Sequence, residues 1–482
     1  MILLMTRGTL SSTTRREFLS ASGLATASRI AGAAATAKKP NIIFVLADDL
    51  GYADLSCFQS KAVRTPHLDR LAAEGTRMVN FYAASAVCSP SRAAILTGRY
   101  PLRYDIRRAF SDDEAHLPAS QAELPQILRR AGYSTALVGK WHLGGLHLKH
   151  IANRKNSIPG PHEHGFDHYL CQNEEQPMRG RMGKERILYR KGGTCLIRNE
   201  QSVPPSDPYY PMHWTDIVGA EAVRLIETMH AQGKPFFLNV WFLNPHAPYE
   251  PAPEPHWSRA AAPGITEDQR CFRSMVEHMD AKIGDIVARL DQLGIRENTL
   301  LIFTSDNGGA WESDVGPYKG GKTDLHEGGL RVPAIFHWKN VIPAAKTSTS
   351  FGHHCDLLPT LCDAAGAAPP REARLDGVSL WDCLVKGKPC PARGPVFWQM
   401  DLMKQIQRRH PKPQPYATEV ARLGSWKMLA TDGRPLALFD LDADPTEQVS
   451  VLDQNPKVAG RLAQELRGFL TSERNRSGIP SP

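Results

Sequence analysis

The stretch Cys88-Ser89-Pro90-Ser91-Arg92-Ala93-Ala94-Ile95-Leu96-Thr97-Gly98-Arg99 carries the residues best placed for chemistry in this chain. A proline two positions after a cysteine, flanked by serines and followed by an apolar run, reads as a loop entering a helix. Ser89 is then the N-cap and Pro90 the first helical residue. Cys88 stands just ahead of the positive end of the helix dipole, where free backbone N–H groups hold an anion, and Arg92 one turn on adds a fixed fork of donors. That arrangement suits a nucleophile handling a tetrahedral oxyanion. A lone cysteine beside a helix start reads equally as a buried structural thiol.

Two acidic pairs close apolar runs: Asp48-Asp49 after Asn41–Ala47, and Asp306-Asn307 after Thr299–Ser305. Adjacent strand residues point to opposite faces, so such a pair shares a ligand only where the strand has ended and the chain turns. Both pairs meet that condition. Three carboxylates and one amide oxygen are hard donors, suited to calcium or magnesium rather than zinc or copper. An isolated Asp-Asp pair also serves as a cap or turn. Two further apolar runs, 135–138 and 235–243, end in Gly139-Lys140-Trp141-His142 and Asn244-Pro245-His246. Lys140 and His142 put two cationic or proton-carrying groups at one strand end.

The elements that must position these groups are short apolar runs alternating with helical stretches, the pattern of a parallel or mixed sheet with helices on both faces. Val276, Met279, Ile283, Ile286, Leu290 and Leu293 recur at helical spacing before Gly294, which predicts a core-facing crossover helix. In open α/β sheets the ligand crevice lies beyond the carboxyl ends of the strands. The 482 residues suggest one large unit with a smaller addition, and 41% hydrophobic with 22% charged residues is ordinary for a globular protein. Formal charge is +8; residues 1–37 hold Arg7, Arg15, Arg16 and Arg29 against Glu17, which leaves +5 for the remainder. That mild excess suits anionic ligands without requiring nucleic acid. No run reaches the eighteen apolar residues of a membrane span. None of the nine cysteines forms a Cys-x-x-Cys pair, so a zinc site is not indicated, and Cys383 with Cys390 is a plausible local disulfide.

Residues 88–99 match the signature of type I sulfatases, in which Cys-x-Pro-x-Arg marks a cysteine converted to formylglycine and Thr-Gly-Arg closes the motif. The chain resembles this family, of the arylsulfatase and N-acetylgalactosamine-6-sulfatase kind, over residues 40 to about 470. Gly139-Lys140-Trp141-His142, the 244–248 stretch, and Gly320-Gly321-Lys322 followed by Glu327-Gly328-Gly329-Leu330-Arg331 resemble further family motifs. Thr323-Asp324-Leu325-His326 departs from the commoner residues there. The resemblance implies an alkaline-phosphatase-like α/β fold: a large mixed sheet flanked by helices over residues 38–390, and a small antiparallel sheet plus helix over 391–482.

It also implies a mechanism. Asp48, Asp49, Asp306 and Asn307 would ligate a divalent cation, usually calcium with magnesium as the alternative, that also touches residue 88. Hydrated formylglycine at Cys88 would attack sulfur, oriented by the metal and Arg92, with Asp306 as ligand and base. Lys140, His246 and Lys322 would bind the sulfate oxygens, and His246 with Lys322 would assist the leaving alcohol. His142 would then deprotonate the remaining hydroxyl so that sulfate is expelled. The implied partners are a sulfated small molecule or carbohydrate and a formylglycine-generating enzyme. The rivals are a phosphodiester or phosphonate monoester hydrolase of the same superfamily and a secreted polyanion-binding protein without catalysis.

Thr14-Arg15-Arg16-Glu17-Phe18-Leu19 and the weakly apolar stretch to Ala37 resemble a twin-arginine export signal, which implies a periplasmic or extracellular enzyme. Arg29 departs from that pattern, and the other reading is a disordered basic arm. The basic positions 179–198 and Lys404, Arg408, Arg409 and Lys412 read as solvated loops or as cleft residues facing a polyanion. Residues 381–394 read as a linker, Trp426 to Asp440 as a hairpin turning at Asp432-Gly433, and Pro456 to Leu470 as an amphipathic helix.

Overall fold

The computed structural model describes residues 38–111, 114–173, 196–209, 212–401 and 416–477; the export-signal segment, the basic positions 179–191 and 404–412 and Cys195 lie outside them. Among the described residues, strands β1 (Asn41–Ala47), β2 (Thr76–Tyr82), β3 (Ser134–Gly139), β4 (His168–Gln172), β5 (Leu196–Arg198), β6 (Gln201–Ser202), β7 (Phe236–Trp241), β8 (Thr299–Ser305), β9 (Arg331–His337), β10 (Lys346–Ser348) and β11 (Gly352–His353) form one mixed sheet. Its centre, in the order β8-β1-β7-β3-β4, is parallel throughout, and β9 joins β8 antiparallel.

Such a block must be covered on both faces, and the alternation along β1 shows how. Ile43 and Val45 pack with the helices Trp214–Ala231 and Glu267–Gln292, while Ile42, Phe44 and Leu46 pack with Cys88–Thr97, Leu124–Arg130 and Leu357–Ala365. The expected crossover helix is there and starts earlier, at Glu267, because Thr266 and Gln269 form a reciprocal capping box; Gly294, at φ 65°, follows its end.

A second sheet of β12 (Val396–Gln399), β13 (Glu419–Leu423), β14 (Trp426–Thr431) and β15 (Arg434–Asp440) is antiparallel, its last hairpin turning at Asp432 and Gly433, both at positive φ. Met428, Ala430 and Leu438 pack on Leu462 and Leu466 of the helix Pro456–Ser477. The linker reading of 381–394 is corrected: Trp381–Lys386 is helical, with Cys383 and Leu384 buried in the main core, and Cys383 is disulfide-bonded to Cys390. Among the described residues no helix is long and apolar enough to cross a membrane.

Burial sets a pH dependence of stability. His256 and His337 are held down at about 4, His354 at about 3 and His353 well below the imidazole range, burial being the largest cause in each. Asp54 and Asp280 are pushed up to about 7, also by burial. As pH falls from about 6.5 towards 4, the unfolded chain protonates these four imidazoles and those of His142 and His246, which the folded chain keeps neutral, whereas the folded chain holds extra carboxyl protons on Asp54, Asp280 and Asp306. The unfolded state binds more protons, so acid destabilises. The thermal midpoint is expected to fall steadily from about pH 7 to 4.5; a midpoint that is flat or rising towards acid contradicts this balance.

Candidate active site

The carboxyl ends of β8, β1, β7 and β3, four neighbours in the sheet, deliver Asp306-Asn307, Asp48-Asp49, His246 and Lys140-Trp141-His142 to one edge. Hydrogen bonds continue past the strand ends: Asp48 N donates to Asn244 O at 2.9 Å, Asp306 N to Ala47 O at 3.0 Å and Lys140 N to Trp241 O at 2.8 Å. Asp49 and His142 sit at φ 66° and 59°. The left-handed residue reverses the strand's alternation, and non-glycine residues held there concentrate at functional sites.

The helix carrying the nucleophile candidate runs Cys88–Thr97, with Val87 as N-cap. The Ser89 N-cap assignment is corrected: its hydroxyl accepts Phe110 N–H at 3.0 Å, while Ser91 Oγ accepts from Ser85 N and donates to Ser85 O. Cys88 is therefore in the first turn, among the free N–H groups. Its thiol lies 3.3 Å from Asp48 Oδ1, and burial, then Asp306 and Asp48, pushes it well above the usual thiol range.

Arg92 is fully buried over the Trp241 ring, 5.2 Å from its centroid. Its Nε and Nη2 donate to Asp306 Oδ2 at 3.1 and 2.8 Å, Nη1 donates to Lys140 O at 3.0 Å, and Nη2 lies 3.5 Å from Asp48 Oδ2. Lys140 Nζ is 2.5 Å from Asp48 Oδ2, and Lys322 Nζ is 2.7 Å from Asp49 Oδ2. Burial alone would raise Asp48; Lys140, His246, Arg92 and Lys322 outweigh it and hold Asp48 well below the carboxylate range. Asp306 is pushed up to about 6 by burial and by Asp48.

His246 Nε2 lies 3.5 Å from Asp49 Oδ2, while Nδ1 bonds Ala247 O, and burial with Lys322 holds the imidazole down at about 4. His142 Nε2 lies 2.9 Å from Phe110 O, which assigns the proton to Nε2 and the lone pair to Nδ1. Nδ1 is buried without a partner among the described residues, and burial with Lys140 keeps the ring neutral.

These residues could hold a metal ion. Donor atoms of Asp48, Asp49, Cys88 and His246 lie within 4.8 Å of one another, and Asp306 Oδ1 accepts Asp49 N–H at 3.3 Å. Asn307 Nδ2 donates to Asp49 Oδ1 at 2.8 Å, and its buried Oδ1 has no donor among the described residues, as a metal-facing oxygen would have none. A second cluster, His213, Asp216 and His278, is occupied internally: His213 Nδ1 accepts Thr215 N–H at 3.2 Å, and Asp216 pairs with His278 at 2.9 Å and Lys282 at 3.0 Å.

Sequence reasoning missed Ser305, whose hydroxyl accepts Leu50 N–H at 3.1 Å and donates to Asn307 O at 2.9 Å, tying the two acidic turns together. A strand-end serine gives no signal of that pairing. It also missed the buried Lys427, which lies 2.9 Å from both Glu327 and Glu447; a lysine inside the apolar run 426–430 was the signal for it.

The sulfatase family model matches residues 40–367. N-acetylgalactosamine-6-sulfatase from Canis lupus familiaris is 34% identical over 391 residues, covering 77% of this chain and 69% of that one. Arylsulfatase G from Rattus norvegicus is 32% identical over 375 residues, covering 72% and 69%. The crystal structure of Ps i-CgsB in complex with k-i-k-neocarrahexaose superposes with a TM-score of 0.76 at 28% identity, covering 90% and 93%. The chain belongs to the sulfatase family. It is a sulfuric ester hydrolase built on the alkaline-phosphatase-like fold.

Proposed function

We propose that this protein hydrolyses a sulfate monoester on a carbohydrate, with residue 88 acting as formylglycine and calcium held by Asp48, Asp49, Asp306 and Asn307. The observation that carries the reading is the convergence of Arg92, Lys140, Lys322 and His246 on Asp48 and Asp49 beside residue 88. The relative named for N-acetylgalactosamine 6-sulfate and the neighbour crystallised with a neocarrahexaose support the carbohydrate class.

A bound divalent cation supplies charge to polarise oxygen. The chain's own residues do the remainder. Arg92, locked by Asp306 and the Lys140 carbonyl, fixes the orientation of the helix turn at residue 88. Lys140 and Lys322 are the ammonium donors for sulfate oxygens, and both remain charged: burial opposes the charge, but Asp48 and Asp49 respectively outweigh it. His246 is neutral with its proton on Nδ1, given to the Ala247 carbonyl, so its Nε2 offers a lone pair beside Lys322, and the charged Lys322 ammonium is the proton donor for the leaving oxygen. His142, neutral with an open Nδ1, is the base for the step that releases sulfate.

The test is a desulfation screen. Carbohydrate sulfates are expected to give a higher kcat/KM than an aryl sulfate, and phosphonate monoesters a lower one. A preference for phosphonate esters would overturn the reading in favour of the rival hydrolase. The metal is tested separately. Chelated protein should lose activity and regain it with calcium, or less well with magnesium, and active enzyme should contain about one equivalent of calcium. Stoichiometric zinc, with activity that calcium fails to restore, overturns the assignment.

A further inference from the structure

Lys322 is held by its own backbone: Lys322 N donates to Gly309 O at 2.7 Å, and Thr323 N donates to Ala86 O, two residues before Cys88, at 2.8 Å. The loop closes on itself where Gly328 N donates to Lys319 O at 2.8 Å and Gly308 N donates to Gly329 O at 3.0 Å. Glu327 occupies that closure, and all its polar atoms face inward. Its carboxylate accepts Tyr82 OH at 2.6 Å and Lys427 Nζ at 2.9 Å, with Arg331 Nη1 at 3.4 Å; its backbone N–H donates to Glu447 Oε2 at 2.6 Å. Lys427 Nζ completes a bridge to Glu447 Oε1 at 2.9 Å.

Lys427, Glu327 and Glu447 are all buried, at 1%, 0% and 0% exposure. They come from three separate places: β14, the lysine loop, and the turn after β15 where Glu447 sits at φ 56°. Burying three charges is tolerated only where each is paired, and deleting one leaves the others uncompensated. The apolar surroundings point the same way. Leu429, on the Lys427 side of β14, packs with Val420, Trp398 and Phe439 against Leu325 and Leu330 of the lysine loop and against Ala86 and Val87 before the nucleophile. Trp398 Nε1 donates to Ala83 O at 2.8 Å. One sheet thus backs both the residue-88 turn and the lysine loop.

We infer that Lys427 is a positioning residue for sulfate binding: by bridging Glu327 and Glu447 it sets the lysine loop, and with it the Lys322 ammonium, against the site. The inference rests on the reading of Lys322 as a sulfate ligand. The test is a double-mutant cycle on the full chain, read as inhibition by inorganic sulfate together with KM and kcat for a sulfate ester. Lys427→Met is expected to weaken sulfate inhibition and raise KM by about tenfold in the wild-type background, and by less than about twofold when Lys322 is already alanine. Metal content and residue-88 modification should not change.

Should Lys427→Met fail to fold, Lys427→Met/Glu447→Gln carries the test. It leaves Glu327 balanced by Arg331, and the glutamine oxygen keeps the acceptor for Glu327 N–H. A folded variant with wild-type sulfate affinity, or losses that simply add to those of Lys322→Ala, overturns the inference and makes Lys427 a stabilising residue only. If Lys322→Ala alone leaves sulfate affinity intact, the sulfate-ligand reading of Lys322 fails, and this inference with it.

Discussion

Replacing Cys88 with alanine is expected to cut turnover by at least about four orders of magnitude, the scale seen when a covalent nucleophile is removed. The fold should survive. The thiol contacts Asp48 Oδ1 at 3.3 Å, and alanine removes only the sulfur from the helix's first turn. The thiol is a poor form of this nucleophile: burial and the nearby Asp306 and Asp48 disfavour thiolate. A thiol also has no second hydroxyl through which to expel sulfate, whereas an aldehyde hydrate has. In protein from a host with the activating enzyme, the tryptic peptide 78–92 should be lighter than its cysteine form by the exchange of sulfur and two hydrogens for one oxygen. It should also react with hydrazide or aminooxy probes. Fully active enzyme that still carries an alkylatable thiol at position 88 contradicts the mechanism.

The His142→Ala variant should separate the two halves of the reaction. In the proposed mechanism, attack on sulfur uses the groups gathered on Asp48 and Asp49, and His142 is not among them: it bonds Phe110 O instead, with its lone pair on Nδ1. Release of sulfate needs a base, and removing a general base costs about two to four orders of magnitude. Steady-state kcat should therefore fall by about that factor, while one equivalent of alcohol appears rapidly and the intact chain gains the mass of a sulfuryl group at residue 88. Slow turnover with neither the alcohol burst nor the added mass would place His142 in the first step or in a structural role.

Much of the site was legible because its parts are local. Residues 88–92 are contiguous, so the cysteine, proline and arginine fall on one helix turn whatever surrounds them. The acidic pairs were legible because each ends an apolar run, where the alternation of side chains must stop. What could not be read was distance. Asn307 and Asp49 are 258 positions apart, and their 2.8 Å hydrogen bond exists because β1 lies between β7 and β8 in the sheet. The misplaced cap at Ser89 has a similar cause: a serine at a helix start caps the helix unless a distant backbone claims its hydroxyl, and here Phe110 does.

The sequence by itself determined which chemical groups stand as candidates for the reaction and roughly where each secondary element ends, because helix punctuation, strand alternation and donor hardness act over a few residues. Only the tertiary structure decided which groups meet. It set Arg92 on Asp306 rather than in solvent, oriented the His142 lone pair by giving its other nitrogen to Phe110, and placed Lys427 of the second sheet behind the loop of Lys322. The physical reason is that strand order and the burial of charge are properties of the whole packed chain: a buried ammonium or guanidinium must find carboxylates, and the fold alone determines which ones are within reach.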